Sequence, residues 1–262
     1  MPRQCTGGHM TNRQFGLCAA VLLALALLLI WLGRETNADL YLADRMFDFG
    51  VNEFPHRNQW FFADFMHHTM KALMVAVGLV PVAALLMDAF NGRQLLDGRT
   101  RRRLAVIVAA AVLVPIAIST MKAVSIHHCP WNLTRYGGFA PYLRIFDSLP
   151  AGVSAGHCFP AGHASSALWL VAVAIFWLPA HPAKAWAAFT VGLFPGLALG
   201  LAQQARGAHF LTHTLWSAWV AVVIVVVLAR LIDPESRKAG EHSGKWSRKR
   251  VPSINARSGA EG

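Results

Sequence analysis

Apolar residues fall into six long runs along the chain, and shorter polar segments separate them. Each run has about 17–19 residues, which is long enough for a helix to cross roughly 30 Å of hydrocarbon. The pattern predicts an all-α fold, namely a polytopic membrane helix bundle with about six transmembrane helices. The runs cover approximately residues 16–33, 72–90, 104–121, 164–180, 185–202 and 211–229.

Three of these runs need a further argument before they are assigned to spanning helices. The first run is long for a signal peptide, and no small-x-small cleavage site follows it, so we expect an uncleaved helix. The fourth and fifth runs contain Pro179 and Pro195. A spanning helix tolerates proline when neighbouring groups satisfy the carbonyl that proline leaves unpaired. All three runs therefore stay helical in the prediction.

The segment 34–70, after the first run, has a different pattern. Its stretches "LYLADRMFDFGVNEF" and "NQWFFADFMHHTMK" mix aromatic and charged residues at near-helical spacing. This mixture predicts interfacial amphipathic helices that lie on the outer leaflet after the first transmembrane helix. Two interpretations stay open, which are a platform that receives a lipid substrate and an aromatic belt that anchors the bundle.

Composition and charge narrow the class of protein. Hydrophobic residues make up 55% of the chain and charged residues 14%, which excludes an ordinary soluble domain. The net charge of +11 is typical of nucleic-acid binding, but its distribution indicates membrane topology instead. With the N-terminus inside, sixteen of the 24 Lys and Arg residues lie on the cytoplasmic side. The basic clusters at 98–103 and 245–250 then contact anionic headgroups, and no nucleic-acid partner is expected.

The chain divides into one membrane domain and two polar ends. Residues 1–15 form a cytoplasmic N-terminus, residues 16–232 form the six-helix membrane domain, and residues 233–262 form a basic tail rich in Ser and Gly. Its polar, charged composition predicts that this tail is disordered and cytoplasmic. We therefore expect one functional unit, inside the membrane domain.

Histidine and cysteine are distributed differently from the basic residues. Nine of the 12 histidines fall on the outer side or at outer helix ends, which suggests chemistry at the outer face. Cys129 and Cys158 share one outer loop, 122–163. In an oxidising compartment, a disulfide between them would stabilise this loop by roughly 3–4 kcal/mol. Two inert buried thiols are the alternative.

Three clusters of polar residues reach the outer face at helix ends. Lys122 lies at the end of the third helix, in "MKAVSIHHCP". The fourth helix begins at "PAGHAS", where Gly162 suits a tight turn and the free amides of the helix N-terminus can bind an anion. The stretch "QQARGAHFLTH" leads into the sixth helix. If it is helical, its polar side chains share one face: Gln203, Arg206, His209 and His213.

A cation, a helix N-terminus and two histidines beside lipid are typical of a site for a phosphate headgroup. Ionisable groups at membrane depth are costly, so each of these residues is a candidate for function. In these clusters the sequence resembles the type 2 phosphatidic acid phosphatase / haloperoxidase-like superfamily of integral membrane lipid-phosphate phosphatases. The family signature is K-x6-R-P, then P-S-G-H, then S-R-x5-H-x3-D. The chain has Lys122-x6-Cys129-Pro130, then Pro160-Ala161-Gly162-His163, then His209-x3-His213. The resemblance covers roughly residues 70–230.

The resemblance implies an enzyme that hydrolyses a phosphomonoester or diphosphate on a lipid headgroup at the outer face of the membrane. It implies that His209 is the nucleophile and forms a phosphohistidine, and that His163 is the general acid. Lys122, Arg206 and the amides near Gly162 would bind the phosphate. No metal or other cofactor is implied, and the partners are a phosphorylated lipid and the membrane. We expect a protein of lipid metabolism in a bacterial inner membrane, with a periplasmic active site.

Two positions of the phosphate-binding part depart from the family signature. Cys129 replaces the arginine of the first motif, and Arg135 is the candidate substitute for this phosphate contact. Gln203 stands where the third motif has arginine. Arg206 lies one helical turn nearer to the nucleophile and is expected to reach the same oxygens.

A third departure concerns the nucleophile itself. His213 replaces the aspartate that orients the nucleophilic histidine in the family. A neutral imidazole nitrogen can accept that hydrogen bond, but a protonated one cannot. His213 is therefore a third catalytic residue in this interpretation, and we expect the activity to fall at acidic pH. A Cys129–Cys158 disulfide would tie the first motif to the second.

Other functions fit parts of the same sequence. His209 and His213 have a good spacing for a metal pair on a helix, and His127, His128 and Cys129 could complete the ligand set of a metal-dependent membrane enzyme. A catalytically inactive lipid-phosphate-binding membrane protein is another alternative. A phosphotransferase is a close variant of the hydrolase. The sequence indicates neither which lipid phosphate is bound nor the oligomeric state.

Overall fold

The computed structural model describes residues 12–231. The predicted basic tail from residue 233 and most of the predicted cytoplasmic N-terminus lie outside the described residues. Within 12–231 the chain forms helices joined by turns and irregular segments, and the backbone forms no β-sheet there. The predicted all-α fold class is confirmed.

Seven α-helices and two helical extensions form the bundle in the described part of the chain. The α-helices are α1 (Asn12–Glu35), α2 (Ala38–Asp44), α3 (Met70–Phe90), α4 (Gly98–Ala123), α5 (Gly162–Leu168), α6 (Pro182–Ala205) and α7 (Leu211–Leu231). The extensions are a π-helix, Phe61–Thr69, that leads into α3 and a 3-10 helix, Trp169–Phe176, that continues α5. Five helices are long and apolar enough to cross a membrane, and a shorter apolar helix accompanies them. This matches the predicted polytopic bundle.

The outward faces of α1 and α3 are apolar. Large side chains such as Leu23 on α1 and Val80 on α3 are more than half exposed. Faces of this kind are unfavourable in water, and the hydrocarbon of a bilayer would cover them. The two helices therefore form part of a lipid-facing surface.

The fourth apolar run forms a shorter helix than the pattern predicts. α5 and its 3-10 extension cover Gly162–Phe176 and end before Pro179, which the prediction places inside the helix. Proline restricts the residue before it and cannot continue a helix, which explains the early end. A 3-10 helix rises about 2.0 Å per residue instead of about 1.5 Å, so the whole helix still spans about 26 Å.

α5 lies in the interior of the bundle. Its Ala164 and Leu168 are fully buried and belong to one core cluster with Val114 of α4 and Ala221 of α7. α6 packs closely against α5 as well. The N-terminus of α5 is therefore held by helices from several parts of the chain.

The segment predicted to lie on the membrane surface has two parts. The first forms α2, whose Ala43 packs into a cluster with Phe47 and Tyr136. The second differs from the prediction, because its π-helical stretch continues directly into α3 and is not a separate interfacial helix. Met66 and Met70 pack against a core cluster of the bundle. These contacts explain why the stretch continues the helix.

α6 approaches its neighbours through glycines. A Cβ at Gly192 would lie 2.6 Å from the carbonyl oxygen of Leu170, and a Cβ at Gly200 would lie 2.2 Å from the side chain of Thr214. Small residues at such contacts let the backbones of membrane helices come close together. The glycines thereby set the spacing of α6 from the 3-10 extension of α5 and from α7.

Replacing Gly192 by alanine should destabilise the bundle, because the added Cβ would meet backbone atoms that no side-chain rotation can move. We expect overpacking to cost about 1–3 kcal/mol, partly offset by the better helix propensity of alanine. Gly16→Ala is the matched control, because a Cβ there has nothing within 4 Å. Thermal unfolding in detergent should give a lower Tm for the first variant only. Equal Tm values would contradict the close helix approach.

Candidate active site

Helix connectivity places the three predicted polar clusters at one end of the bundle, here termed the site end. α4 finishes there with Lys122, α5 begins there with His163, and the turn from α6 to α7 carries Arg206 and His209. α4 and α6 each pack against both α5 and α7. The site end therefore gathers residues that are far apart in sequence.

The loop between α4 and α5 joins the first cluster to the second. Cys129 and Cys158 form a disulfide with a Cα–Cα distance of 5.3 Å. Next to it, three backbone hydrogen bonds of 2.9–3.2 Å pair residues 156–158 with residues 125–127. The chain that follows α4 is thereby held against the chain that precedes α5.

Backbone contacts join the second cluster to the third. The amide of Ala161, directly before α5, donates to the carbonyl of His213 at 3.1 Å. The hydroxyl of Ser217 donates to the carbonyl of Ala161 at 3.0 Å. The ring of Phe159 lies edge-on to the ring of His213, with centroids 5.3 Å apart. The start of α5 is therefore fixed against the first turns of α7.

His209 is buried in the turn before α7, with 4% of its surface exposed. Its Nδ1 lies 3.5 Å from Nδ1 of His213 and 3.5 Å from Sγ of Cys158. Burial lowers the pKa of His209 well below its ordinary value, and the charges of His213, Lys122 and His163 lower it further. The imidazole is therefore neutral at physiological pH, and groups from all three clusters act on it.

The amine of Lys122 reaches the start of α5. A Cβ placed on Gly162 would lie 3.8 Å from Nζ of Lys122. The free amides of the helix N-terminus and the ammonium group are thus close together, next to His163. Amide donors and a cation in one place are a combination that binds anions.

Sequence analysis did not identify two further residues of the site end, His67 and Lys71. The ring of His67 packs on the ring of His163, with centroids 3.7 Å apart. The charge of Lys71 acts on His163, as do the charges of Lys122 and Arg206. His67 and Lys71 are four residues apart in a helical stretch, and this spacing on one face was the available signal. The mixed aromatic and charged pattern of this segment favoured a helix on the membrane surface over a contribution to the site.

Arg206 and Gln203 form a linked pair in the turn after α6. Nη1 of Arg206 donates to Oε1 of Gln203 at 3.1 Å, and its Nε donates to the carbonyl of Arg57 at 2.9 Å. Gln203 is 1% exposed, and its Nε2 has no hydrogen-bond partner among residues 12–231. Leaving a buried amide donor unpaired is costly, so a bound anion would gain from this N–H. Gln203 thus offers a neutral donor and Arg206 a charge.

Arg135, the predicted substitute for the arginine of the first motif, is engaged by another group. Its Nε and Nη2 donate to the two carboxylate oxygens of Asp44 at 2.7 and 2.6 Å. These bonds hold the pKa of Asp44 below its usual range. Within the described residues no contact joins Arg135 to the three clusters. A bidentate ion pair of this kind is a strong local preference, and it fastens the loop to α2.

Asp39 on α2 is a further residue that sequence analysis did not single out. It is 5% exposed, and its carboxylate accepts hydrogen bonds from the amide of Thr212, at 3.0 Å, and from the hydroxyl of the same residue. A carboxylate at a helix N-terminus satisfies free amides and complements the helix dipole. Burial raises the pKa of Asp39. Because Thr212 directly precedes His213, this cap fixes the first helical turn of α7, which carries His213.

A family comparison covers the segments that carry the three polar clusters. The family model of the PAP2 superfamily matches residues 102–237, which is just over half of the chain and includes Lys122, His163 and His209. The chain belongs to the PAP2 superfamily. Comparisons with curated proteins and with solved structures gave no match. PAP2 membership and the membrane-length helices support a membrane phosphatase in general terms, and the resemblance seen in the sequence is confirmed.

The PAP2 site also contains a group of potential metal ligands. One atom each from Cys158, His209 and His213 lies within 4.8 Å of the other two, and in the described part of the chain this group includes neither His127 nor His128. The disulfide limits the group, because a bridged sulfur has no thiolate charge. Only two imidazoles then remain, which is fewer than the three or four protein ligands of a zinc site.

The PAP2 site should keep its activity below the pH at which free histidine becomes protonated. A histidine that attacks phosphorus must be neutral, and burial holds the pKa of His209 well below 6.5. The activity is therefore expected to fall at acidic pH, but with a midpoint below 6.5. A profile of kcat/KM against pH, corrected for ionisation of the substrate phosphate, measures this midpoint. An acid limb at or above 6.5 would contradict a buried neutral nucleophile.

Proposed function

We propose that this protein hydrolyses a phosphomonoester or diphosphate on a lipid headgroup, through a phosphohistidine on His209 and without a metal cofactor. The observation that supports this best is the meeting of Lys122, His163 and His209 at one end of a bundle of membrane-length helices. They offer a cation for the phosphate, an acid for the leaving group and a neutral nucleophile. PAP2 membership favours the same class of reaction.

In this proposal His209 attacks through Nε2. Its Nδ1 faces Nδ1 of His213 at 3.5 Å, so one of these two nitrogens carries a proton and the other accepts. With the proton on His209, His213 accepts the hydrogen bond, and Nε2 of His209 keeps its lone pair for phosphorus. His213 then orients the nucleophile as a carboxylate would, without adding a negative charge.

The reaction has two displacement steps. In the first, Nε2 of His209 forms a bond to phosphorus while the bond to the leaving oxygen breaks, and His163 gives its proton to that oxygen. In the second, His163 takes a proton from water as the water oxygen attacks phosphorus, and His209 leaves as a neutral imidazole. Lys122, Arg206 and Gln203 donate to the remaining phosphate oxygens, where charge develops in the transition state.

The proposed location follows from the positive charges. The connection between α3 and α4, together with the start of α4, carries five arginines at the end of the bundle opposite the site end. Positive residues favour the cytoplasmic side, so the site would face outward, which is the periplasm for a bacterial inner membrane protein. The substrate, a phosphorylated lipid, would enter from the outer leaflet. No nucleic-acid partner is proposed.

Phosphate release from a panel of lipid phosphates, with detergent-purified protein and with or without EDTA, tests this function. The panel contains a phosphatidic acid, a phosphatidylglycerol phosphate and a polyprenyl diphosphate, each beside a water-soluble analogue. Release that EDTA does not change, with an acid-labile and base-stable phosphoprotein in quenched samples, would support the proposal. Release abolished by EDTA would favour a metal-dependent enzyme, and binding without release would favour an inactive lipid-phosphate-binding protein.

A further inference from the structure

We propose that reduction of the Cys129–Cys158 disulfide converts the active site into a zinc site, formed by Cys158, His209 and His213, and that zinc bound there stops the enzyme. The zinc-binding part of this proposal is independent of the reaction. The inhibition part rests on the proposed function of His209. In the oxidised protein Cys158 is bridged and cannot serve as the third ligand. The site would therefore bind substrate when the disulfide is formed and zinc when it is reduced.

Two of the three spacings between the ligand atoms already match those of a tetrahedral site. Zinc bonds of about 2.3 Å to sulfur and about 2.0–2.1 Å to nitrogen place sulfur and nitrogen about 3.5 Å apart and two nitrogens about 3.4 Å apart. Sγ of Cys158 is 3.5 Å from Nδ1 of His209, which is 3.5 Å from Nδ1 of His213. All three atoms lie within 4.8 Å of one another, so a small side-chain rotation closes the site.

The surroundings favour retention of this arrangement after reduction. All three residues are buried, and Cys158 has no exposed surface. The sulfur of Cys158 lies 3.1 Å from the carbonyl oxygen of Ala208. A bridged sulfur cannot donate to this oxygen, but a free thiol can, so the reduced side chain has a hydrogen-bond acceptor in its present position.

Two steps lead from the oxidised protein to the zinc-bound protein. A dithiol reductant supplies two electrons and two protons, becomes a disulfide itself and leaves thiols on Cys129 and Cys158. Zinc then replaces the thiol proton of Cys158, which passes to solvent, and accepts lone pairs from Nδ1 of His209 and His213. The ring proton of His209 moves from Nδ1 to Nε2, which is the nitrogen that already carries the ring proton of His213 in the proposed tautomer. Nε2 of His209 then has no lone pair for phosphorus, which explains the loss of activity.

Two single-cysteine variants give a matched test. Cys129→Ala and Cys158→Ala both remove the disulfide, but only Cys129→Ala leaves the Cys158 sulfur beside the histidines. Every other cysteine and histidine is the same in both. Zinc chloride is titrated into each full-length purified variant in competition with a chromophoric zinc indicator, and phosphate release is measured in parallel. We expect Cys129→Ala to bind one zinc per chain more than Cys158→Ala. With zinc at tenfold its Kd, its activity should fall about tenfold and return with EDTA.

Wild-type protein gives a second measurement if the variants do not fold. After treatment with a phosphine reductant it should take up one zinc per chain more than before treatment. Equal zinc uptake by the two variants, or equal uptake by oxidised and reduced wild type, would overturn the proposal. If zinc binds as expected but the oxidised protein releases no phosphate, the zinc site is supported and the proposed function is wrong.

Discussion

His209→Asn should lower phosphate release by about a thousandfold or more, the largest loss expected from any single substitution in this chain. Asparagine places a small polar side chain at the same buried position, but its amide nitrogen has no lone pair that can attack phosphorus. Removal of the proposed nucleophile closes the covalent route, so only the contribution of phosphate binding and orientation remains. Initial rates with the best lipid phosphate of the panel measure the loss.

A histidine at the opposite end of the bundle provides the control for this substitution. His181 is exposed directly before α6, and His181→Asn should leave the rate within about twofold of wild type. Quenched reactions of His209→Asn should contain no phosphoprotein. If His209→Asn has a wild-type Tm and keeps more than about a tenth of the wild-type rate, another group forms the covalent bond.

The sequence pattern was a good guide to the spanning helices because a bilayer imposes a simple rule. A helix satisfies its own backbone in lipid, so apolar length alone indicates where it runs. The run at 185–202 accordingly corresponds to α6, Pro182–Ala205. Hydropathy does not distinguish α-helix from 3-10 or π-helix, since packing decides between them. The change from α5 to a 3-10 helix at Trp169 and the extension of α3 by the π-helix Phe61–Thr69 were therefore not predictable in detail.

The candidate site shows the same division between local and tertiary signals. His163 and His209 could be singled out because each lies in a short stretch whose spacing is visible in the sequence. Asp39 could not, because its partner Thr212 is 173 residues away and only the packing of α2 on α7 brings them together. Arg135 is the opposite case. Its position near the first motif suggested a phosphate contact, but its guanidinium donates to the carboxylate of Asp44 on α2 instead.

His163→Asn should lower phosphate release by about 10²–10⁴-fold, which is the range expected for loss of a general acid. The size of the loss should depend on the substrate. A lipid alkoxide is a poor leaving group and needs the proton, whereas a nitrophenolate leaves without one. The variant should therefore be strongly impaired with a phosphatidic acid and much less impaired with a nitrophenyl phosphate ester. Rates of the first displacement with both substrates measure the difference.

Lys122→Met is the matched comparison for this prediction. Lys122 reaches the start of α5 and is proposed to bind phosphate oxygens that both substrates share. Its loss should therefore slow both substrates by a similar factor, whatever the leaving group. The ratio of the two rates thus distinguishes proton donation from charge stabilisation. If His163→Asn also slows both substrates equally, His163 contributes to phosphate binding or to packing on His67 and is not the acid, since only proton donation couples the loss to the basicity of the departing oxygen.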